Sequence, residues 1–297
     1  MKFLVFSDLH IHKYKNHNES KNSRFYDCLR VLEDVFIIAS VRGIDVILFC
    51  GDLFDSPKEL DTEVINHTFK AFKNLFYRFS HIGFISISGN HDINSKSIYG
   101  QNINSSQKFL SEAFDNFFLI DNDNLQLNDV TVHGFRYYDF TEDFLKDYNS
   151  RDFKGKVINL IHQSPIGISN KFIHADLDIS KLNGMTFCGH IHTPEILADN
   201  FIVVGNPIHR DKGDLDQDKY IWIYDSDTED LGTIQLEGYM KFTSEETEGS
   251  NDIVVIKPLE VESENFEMSN DEEGLLESYL KSVNKLDHLN SGIQCLN

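Results

Sequence analysis

Short apolar runs alternate with amphipathic stretches through the first third of the chain. Three runs have the length and composition of buried strands and cover residues 2–7, 44–50 and 84–88. Between them, apolar residues recur every three or four positions over 24–42 and 64–79, a spacing that predicts helices with one buried face. The order β-α-β-α-β implies parallel strands joined by right-handed crossovers.

Strand patterns dominate the later part of the chain. Further apolar runs predict strands at 117–120, 130–135, 157–162, 185–188, 201–204 and 220–224. The clearest helical spacing in this part covers residues 140–148. We therefore expect an α/β fold, a sheet-rich sandwich with helices on the outside.

The composition is that of a soluble globular protein. No apolar run approaches the about 18 residues that a membrane-spanning helix needs, so we expect no contact with a membrane. The apolar stretch at the start is too short for a signal peptide and is interrupted by Asp8. The four cysteines lie far apart in the sequence, which favours a reducing, cytoplasmic compartment.

Negative charge is concentrated toward the C-terminus. The formal net charge is −21, and from Asp225 onward 18 acidic residues stand against 4 basic ones. An acidic field repels polyanions, so this charge argues against tight nucleic-acid binding without a partner. We expect a main domain over residues 1–240 and a short acidic C-terminal extension over 241–297.

The extension has its own pattern of small, acidic and apolar residues. Residues 243–251 are acidic and small, which is typical of a linker or exposed loop. A strand-like run follows at 253–256, and residues 271–286 carry apolar side chains on one helical face. That face either packs on its own domain or binds a partner.

Five short segments carry side chains that bind metals or transfer protons, and four of them directly follow a predicted strand. They are Asp8-Leu9-His10, Gly51-Asp52-Leu53-Phe54-Asp55, Gly89-Asn90-His91-Asp92, His162-Gln163 and Gly189-His190-Ile191-His192. Open α/β sheets place their sites at the carboxyl ends of strands, where these segments begin. The glycines that precede Asp52, Asn90 and His190 are predicted to let the chain turn sharply there.

Together these segments offer more ligands than one divalent ion can use. Carboxylates and imidazoles without thiolates suit Mn²⁺, Fe²⁺ or Zn²⁺ in a site other than a structural zinc site. Two such ions about 3.5–4 Å apart favour in-line displacement at phosphorus and lower the pKa of a bound water toward about 7. The segments therefore indicate a hydrolase that acts on phosphate esters.

In this order, the motifs D-x-H, G-D-x-x-D, G-N-H-D, a single strand-end histidine and G-H-x-H resemble the calcineurin-like metallophosphoesterase superfamily over residues 1–225. The resemblance implies a four-layer α/β/β/α sandwich that binds two divalent metal ions. Three side chains would bind one ion: Asp8, His10 and His192. Three would bind the other: Asn90, His162 and His190. Asp52 would bridge the two ions.

The same resemblance assigns catalytic roles next to the metals. His91 would not be a ligand; it would contact the scissile phosphate and protonate the leaving oxygen. Asp92 would orient His91 through the second ring nitrogen. Asp55 would support the site from behind the ligands.

Within the superfamily, the chain is similar to SbcD-type DNA repair nucleases and their phage recombination counterparts. The first feature that carries this similarity is Asp8-Leu9-His10 followed by a polar loop and a helix. The other segments are Leu53-Phe54-Asp55, His162-Gln163, Val204-Gly205-Asn206-Pro207 and the run 220–225. Many SbcD-type enzymes have histidine where Asp55 stands, although phage relatives can have aspartate. The similarity implies exonuclease and endonuclease activity on DNA as the subunit of a complex with an SMC-like, SbcC-type ATPase. It also implies Mn²⁺ as the preferred metal (with Mg²⁺, Fe²⁺ or Zn²⁺ as alternatives), allows a homodimer, and places a phage-encoded protein in the host cytoplasm.

Two other functions remain open at this point. The same site could belong to a phosphatase or a small-nucleotide phosphodiesterase, since the acidic charge also suits a small substrate. A non-catalytic scaffold of this fold is a third option, but such relatives usually lose ligands, and here all seven ligand positions and His91 are filled.

Several other candidate residues receive structural interpretations. Cys50 and Cys188 are expected to be small buried hydrophobic residues, and His133 a structural residue. The histidines assigned to the surface or to packing are His12, His17, His67, His81, His174, His209 and His288. A loop with Lys13, Lys15 and Lys21 either contacts a DNA backbone or is simply solvated.

Overall fold

The computed structural model describes residues 1–13, 23–57, 60–94, 104–169, 174–210, 212–239, 241–244 and 253–256. The helices are α1 (Ser23–Val41), α2 (Thr62–Arg78), α3 (Lys108–Ala113) and α4 (Thr141–Tyr148), with 3-10 turns at Ile179–Lys181 and Lys212–Asp214. The strands are β1 (Lys2–Phe6), β2 (Val46–Phe49), β3 (Gly83–Ser86), β4 (Ile93–Asn94), β5 (Asn104–Ser105), β6 (Phe117–Leu119), β7 (Asp123–Leu127), β8 (Val130–Gly134), β9 (Lys156–His162), β10 (Met185–Gly189), β11 (Glu195–Ala198), β12 (Phe201–Val203), β13 (Ile221–Asp225), β14 (Asp230–Ile234), β15 (Lys241–Ser244) and β16 (Ile253–Ile256).

The first sheet has the strand order β14-β13-β1-β2-β3-β6. Strands β1, β2 and β3 run parallel, as the alternating pattern of the first third predicts, and β6 pairs parallel with β3. Strand β13 pairs antiparallel with β1, and β14 pairs antiparallel with β13. The carboxyl ends of the parallel strands therefore lie at one edge of this sheet.

The second sheet has the order β11-β12-β10-β9-β8-β7. Its four inner strands, β8, β9, β10 and β12, are parallel, and the two outermost strands pair antiparallel with their neighbours. Both sheets thus place several strand carboxyl ends on one side, where polar loops follow.

The two sheets pack face to face, and the helices lie on their outer faces. The shared core takes Val5 and Leu48 from the first sheet and Leu160 and Phe187 from the second. On the outer face of the first sheet, the Phe84 ring contacts aromatic rings of both helices, Phe36 of α1 and Phe72 of α2. Helix α4 packs on the outer face of the second sheet through Phe144 and Tyr148, in a cluster with Ile161 and Val203. The predicted four-layer α/β/β/α sandwich is confirmed.

The interior elements match the sequence prediction, whereas several edge elements were missed. Strands β7, β11 and β14 were not predicted, and each lies at an edge of a sheet. None of their residues is buried, so these strands lack the long buried apolar runs by which the interior strands were recognised. The short helix α3 was missed for the same reason, since only Leu110 of its six residues is buried.

The chain divides into two units, Met1–Leu236 and Glu237–Asn297. In the second unit, β15 pairs antiparallel with β16, which confirms the strand predicted at 253–256. The first two residues of the predicted linker, Thr243 and Ser244, belong to β15. The rest of that linker and the helix predicted at 271–286 lie outside the described residues, and the domain boundary at 240 stays a prediction. In the part of the chain that the structure describes, no helix has both the length and the apolar character to cross a membrane.

Candidate metal centre

The five predicted segments meet where the carboxyl ends of the two sheets face each other. The loops after β1 and β2 run side by side, since the backbone N–H groups of Asp8 and His10 donate to the carbonyl oxygens of Gly51 and Asp52, both at 3.0 Å. Across the two sheets, the backbone N–H of His190 donates to both carboxylate oxygens of Asp8 at 3.1 Å. The site therefore bridges the sheets.

The backbone of these loops adopts a conformation that side chains normally avoid. Asp8, His10, Asp52 and His190 have φ values of 54°, 47°, 57° and 80°. Non-glycine residues in this left-handed region cost about 1–3 kcal/mol each and cluster at functional sites. Four predicted ligands thus share a strained backbone that aims their side chains at a common centre.

The glycines that precede three of the ligands serve two different purposes. Gly51 has a φ of 95° and makes the sharp turn that was predicted. Gly89 and Gly189 are needed instead for close approach. A Cβ at Gly89 would lie 2.1 Å from Oδ1 of Asp52, and one at Gly189 would lie 2.3 Å from the carbonyl oxygen of Cys50. For these two positions, crowding rather than turning explains the glycine.

The structure brings together the three side chains predicted for the first ion. Asp8, His10 and His192 each offer a ligand atom to one group. The Nε2 atoms of His10 and His192 face each other at 3.2 Å, and Nε2 of His10 lies 3.8 Å from Oδ1 of Asp8. Two ligands that are each about 2.1 Å from a cation lie about 3.0–3.4 Å apart, so these separations are close to those of a bound metal.

The predicted bridging ligand lies between this group and a second one. Oδ2 of Asp52 is 3.5 Å from Nε2 of His10 and 3.2 Å from Nε2 of His162. Oδ1 of Asn90 lies 3.1 Å from that nitrogen of His162 and 2.9 Å from Nδ1 of His190. The second predicted set is therefore also assembled.

The donor chemistry of these residues suits a pair of divalent cations. Nδ1 of His162 donates to the carbonyl oxygen of Cys50 at 2.7 Å, which directs Nε2 toward the carboxylates. Burial, with a contribution from neighbouring imidazoles, lowers the pKa of His190 and of His192 to about 4, so both rings are neutral and have a free lone pair at neutral pH. Burial would raise the pKa of Asp52, but His162 and His10 outweigh it and lower that pKa. The residues predicted as ligands thus fit two divalent metal ions.

His91 lies beside the site with its ring orientation fixed from one side. Its Nδ1 donates to the backbone carbonyl oxygen of Asp55 at 2.5 Å, because a carbonyl can only accept. Its ring contacts the His10 ring edge-on, with centroids 4.8 Å apart. The nitrogen left for a reacting group is therefore Nε2.

The orienting role predicted for Asp92 is wrong. Its carboxylate is fully buried and accepts hydrogen bonds from the backbone N–H groups of Asp52, Leu53, Phe54 and Gly89, at 2.7–3.2 Å. The side-chain amide of Gln107 adds a fifth bond at 2.7 Å. Asp92 thus anchors the loops after β2 and β3 to each other, while the carbonyl of Asp55 orients His91. Adjacency in sequence did not indicate this, because neighbouring side chains in a loop can point in different directions.

Asp55 lies next to one of the predicted ligands and introduces a partner that the sequence did not indicate. Its Oδ1 lies 3.3 Å from Nδ1 of His10 and 2.9 Å from Nη2 of Arg210. His12, which was assigned to the surface or to packing, lies 3.8 Å from the other oxygen of Asp55.

A buried ion pair next to the backbone of the Gly189-His190-Ile191-His192 motif was also not predicted from the sequence. The Lys219 ammonium donates to the His192 carbonyl at 2.8 Å and to Asp214 and Asn206 at 2.6 Å each. The only sequence signal here was the resemblance of the segment that contains Asn206.

The remaining candidates have ordinary structural surroundings. Cys50 and Cys188 are fully buried, and neither belongs to a candidate metal group among the described residues. Nε2 of His133, which is also buried, bonds to the carbonyl of Asp152. Lys13 pairs with Asp61 and Glu63. Lys15, Lys21, His17 and His288 lie outside the described residues.

Replacing Asp92 with asparagine tests its role as the anchor between the two loops. One carboxylate oxygen becomes an NH₂ group that faces backbone donors, so buried N–H groups lose their acceptor. We expect the free energy of unfolding to fall by at least about 3 kcal/mol. Urea unfolding followed by circular dichroism measures this change. Asp152→Asn, at an exposed carboxylate, is the control and should cost less than about 0.5 kcal/mol. Equal losses in the two variants would contradict the anchor role.

Metal binding at His162 should release a proton. Burial alone would lower the pKa of His162, but the Asp52 and Asp8 carboxylates outweigh it and raise the pKa to about 9. At pH 7 the metal-free imidazole is therefore protonated, and a cation must displace that proton. We expect release of about one proton per protein and an affinity that rises about tenfold per pH unit between pH 6 and 8.

Titration calorimetry with Mn²⁺ in two buffers of different ionisation enthalpy counts this proton. His174→Gln, which removes an exposed imidazole, should release the same number as the wild type. Binding with no proton release at pH 7 would contradict the displacement of a proton from His162.

Comparison of the sequence with known families gives one match. A family model described as calcineurin-like phosphoesterase matches residues 1–194, a stretch that contains all five motifs. Among solved structures, a dimetal phosphatase from Danio rerio is similar at 10% sequence identity and a TM-score of 0.47, over 75% of this chain and 91% of that one. No curated protein matches the chain. Because the family model covers more than half of the sequence, the chain belongs to the calcineurin-like phosphoesterase family of metal-dependent phosphoesterases.

Proposed function

We propose that the chain is a two-metal-dependent phosphodiesterase that cleaves DNA, as the nuclease subunit of an SbcCD-like repair or recombination complex. The observation that carries the proposal is the placement of His91, with Nδ1 bonded to a carbonyl, beside two groups of ligands that share Asp52. This combines the two requirements of phosphodiester hydrolysis, a centre for the phosphate and a proton donor for the leaving group.

The ligand groups supply the first requirement. When bound, two divalent cations activate a water molecule for attack and neutralise charge that develops on the phosphate oxygens. The residues that would bind them are Asp8, His10, His192, Asn90, His162, His190 and the bridging Asp52. We propose Mn²⁺ as the metal, with Mg²⁺, Fe²⁺ and Zn²⁺ as the competing ions.

His91 supplies the second requirement. The leaving group of DNA cleavage is a sugar oxygen, which departs poorly as an alkoxide and so needs a proton. Because Nδ1 of His91 is occupied by the Asp55 carbonyl, the protonated ring presents its second N–H, at Nε2, to the pocket. The backbone N–H of His91 also donates to Oδ1 of Asp52 at 2.8 Å, which ties the position of the acid to the bridging carboxylate.

The charge of the chain supports a partner in DNA binding. A formal net charge of −21 repels a polyanion over distances comparable to the Debye length. An SMC-like ATPase subunit would supply a basic surface for the DNA backbone. A homodimer and a cytoplasmic location belong to the same proposal.

The acidic charge also favours a second candidate, a phosphatase or small-nucleotide phosphodiesterase. A small substrate carries few negative charges and is repelled less than DNA is. This candidate enzyme would use the same metal ligands and would differ only in its substrate.

Replacing His91 with alanine separates the role of the acid from that of the metals. We expect cleavage of linear duplex DNA with Mn²⁺ to fall about 10²–10⁴-fold, because the sugar oxygen loses its proton donor. Hydrolysis of bis(p-nitrophenyl) phosphate should fall far less, since nitrophenolate leaves as an anion without help. Gel assays and absorbance measure the two rates, and calorimetry should show unchanged Mn²⁺ stoichiometry.

The comparison needs one control and has clear opposite results. His81→Ala, at an exposed position just before β3 and therefore at the end of that strand opposite the ligands, should leave both rates at the wild-type level. Equal losses on both substrates would contradict a general acid role for His91. Hydrolysis of the nitrophenyl ester by the wild type, without DNA cleavage in the presence or absence of the candidate ATPase, would favour the small-substrate enzyme.

A further inference from the structure

Arg210 places a guanidinium at the border of the first ligand group. Its Nη2 lies 2.9 Å from Oδ1 of Asp55, and its Nη1 lies 3.5 Å from Nε2 of His192. The side chain is 21% exposed, so it is packed against the site while part of it remains open to solvent. Neither the motifs nor their resemblance assigned a role to this residue.

The backbone that carries Arg210 is fixed by the same ion pair that fixes His192. The Arg210 backbone N–H donates to Oδ2 of Asp214 at 2.6 Å. Oδ1 of Asp214 accepts from the Lys219 ammonium, which also donates to the His192 carbonyl. The Asp214 and Lys219 side chains are only 3% and 4% exposed. One buried network thus sets the distance between Arg210 and a predicted metal ligand, which is the preorganisation that a recognition residue needs.

The two nitrogen termini of the guanidinium have different surroundings. Nη2 is paired with Asp55, which accounts for one end. Nη1 is directed at the ring nitrogen of His192 that is predicted to bind a cation. A nitrogen that coordinates a metal has no lone pair left to accept a hydrogen bond, so Nη1 then needs another acceptor at the same place. An oxygen of a phosphate group bound at the centre meets that need.

Charge favours the same ligand. Asp8, Asp52 and Asp55 contribute three carboxylates to the candidate metal groups, and a phosphodiester is itself an anion. A guanidinium at the border offsets part of their repulsion and is more weakly hydrated than an ammonium group.

We propose that Arg210 contacts the substrate, donating from Nη1 to a non-bridging oxygen of the phosphate while Asp55 fixes Nη2. The inference rests on the proposed phosphoester hydrolysis but does not depend on DNA as the substrate. Arg210 is then a specificity residue for the phosphate group itself, whatever is attached to it.

Binding of inorganic phosphate to the Mn²⁺-loaded protein tests the contact without relying on activity. Calorimetry should show a dissociation constant for phosphate about 10- to 100-fold higher in Arg210→Ala than in the wild type, as expected for loss of a charge-assisted hydrogen bond. Arg210→Lys keeps the charge and should recover part of the affinity. The KM for bis(p-nitrophenyl) phosphate should rise with the phosphate dissociation constant.

Two controls separate this role from a structural one. Arg42→Ala removes the same charge from an exposed position just after α1, at the opposite ends of the strands, and should bind phosphate like the wild type. The Mn²⁺ stoichiometry and affinity of Arg210→Ala should also be unchanged.

The opposite results are distinct. A phosphate dissociation constant within twofold of the wild type in Arg210→Ala would overturn the inference. So would a loss of Mn²⁺ binding in that variant, which would mean that Arg210 acts through Asp55 and His10. Hydrolysis of the nitrophenyl ester without DNA cleavage would contradict the proposed nuclease but leave the phosphate measurement intact as a test of Arg210.

Discussion

Many ionisable groups are buried together at the candidate metal centre. The rest of this structure depends on that constraint. Asp8 and Asp52 are 2% and 1% exposed, and imidazoles from both sheets lie within 4 Å of them. Buried carboxylates are costly unless hydrogen bonds or cations compensate them. The backbone N–H of His190, the proton on His162 and the anchoring of the loops by Asp92 supply that compensation in the protein itself. The sandwich core serves to bring the two sheet edges close enough for this to happen.

Much of the sandwich could be predicted because its interior is apolar. The runs around Val5, Leu48 and Leu160 are buried on both faces of parallel strands, so their sequence signal is strong. The edge strands had no such signal. Strand β7, Asp123–Leu127, is largely exposed, and its place in the fold comes from pairing with β8 rather than from its own composition. Hydrophobic patterning cannot detect pairing of that kind.

The predicted metal ligands could be recognised from the sequence, but the residues that hold them in place could not. The reason is again the local sequence pattern. Ligand types such as His190 and Asp52 are recognisable because they follow apolar strands in a fixed order. Arg210 and Lys219 lie in a polar segment where nothing in the local sequence separates them from surface residues. Only the three-dimensional proximity of that segment to His192 gives them meaning. For Asp92 the error is different. Its place at the site was predicted correctly, but its carboxylate bonds to backbone N–H groups and not to His91.

The left-handed backbone at four predicted ligands costs the fold stability but places side chains that the activity needs. His10 and His190 each carry a β-carbon, yet both adopt the left-handed backbone conformation. Glycine, and to a lesser degree asparagine, adopts that conformation at lower cost. Substitution by glycine at either position would relieve the backbone strain, but it would also remove an imidazole that the chemistry needs. The left-handed backbone is therefore a cost in stability that the fold carries in order to hold the imidazoles and carboxylates at the centre.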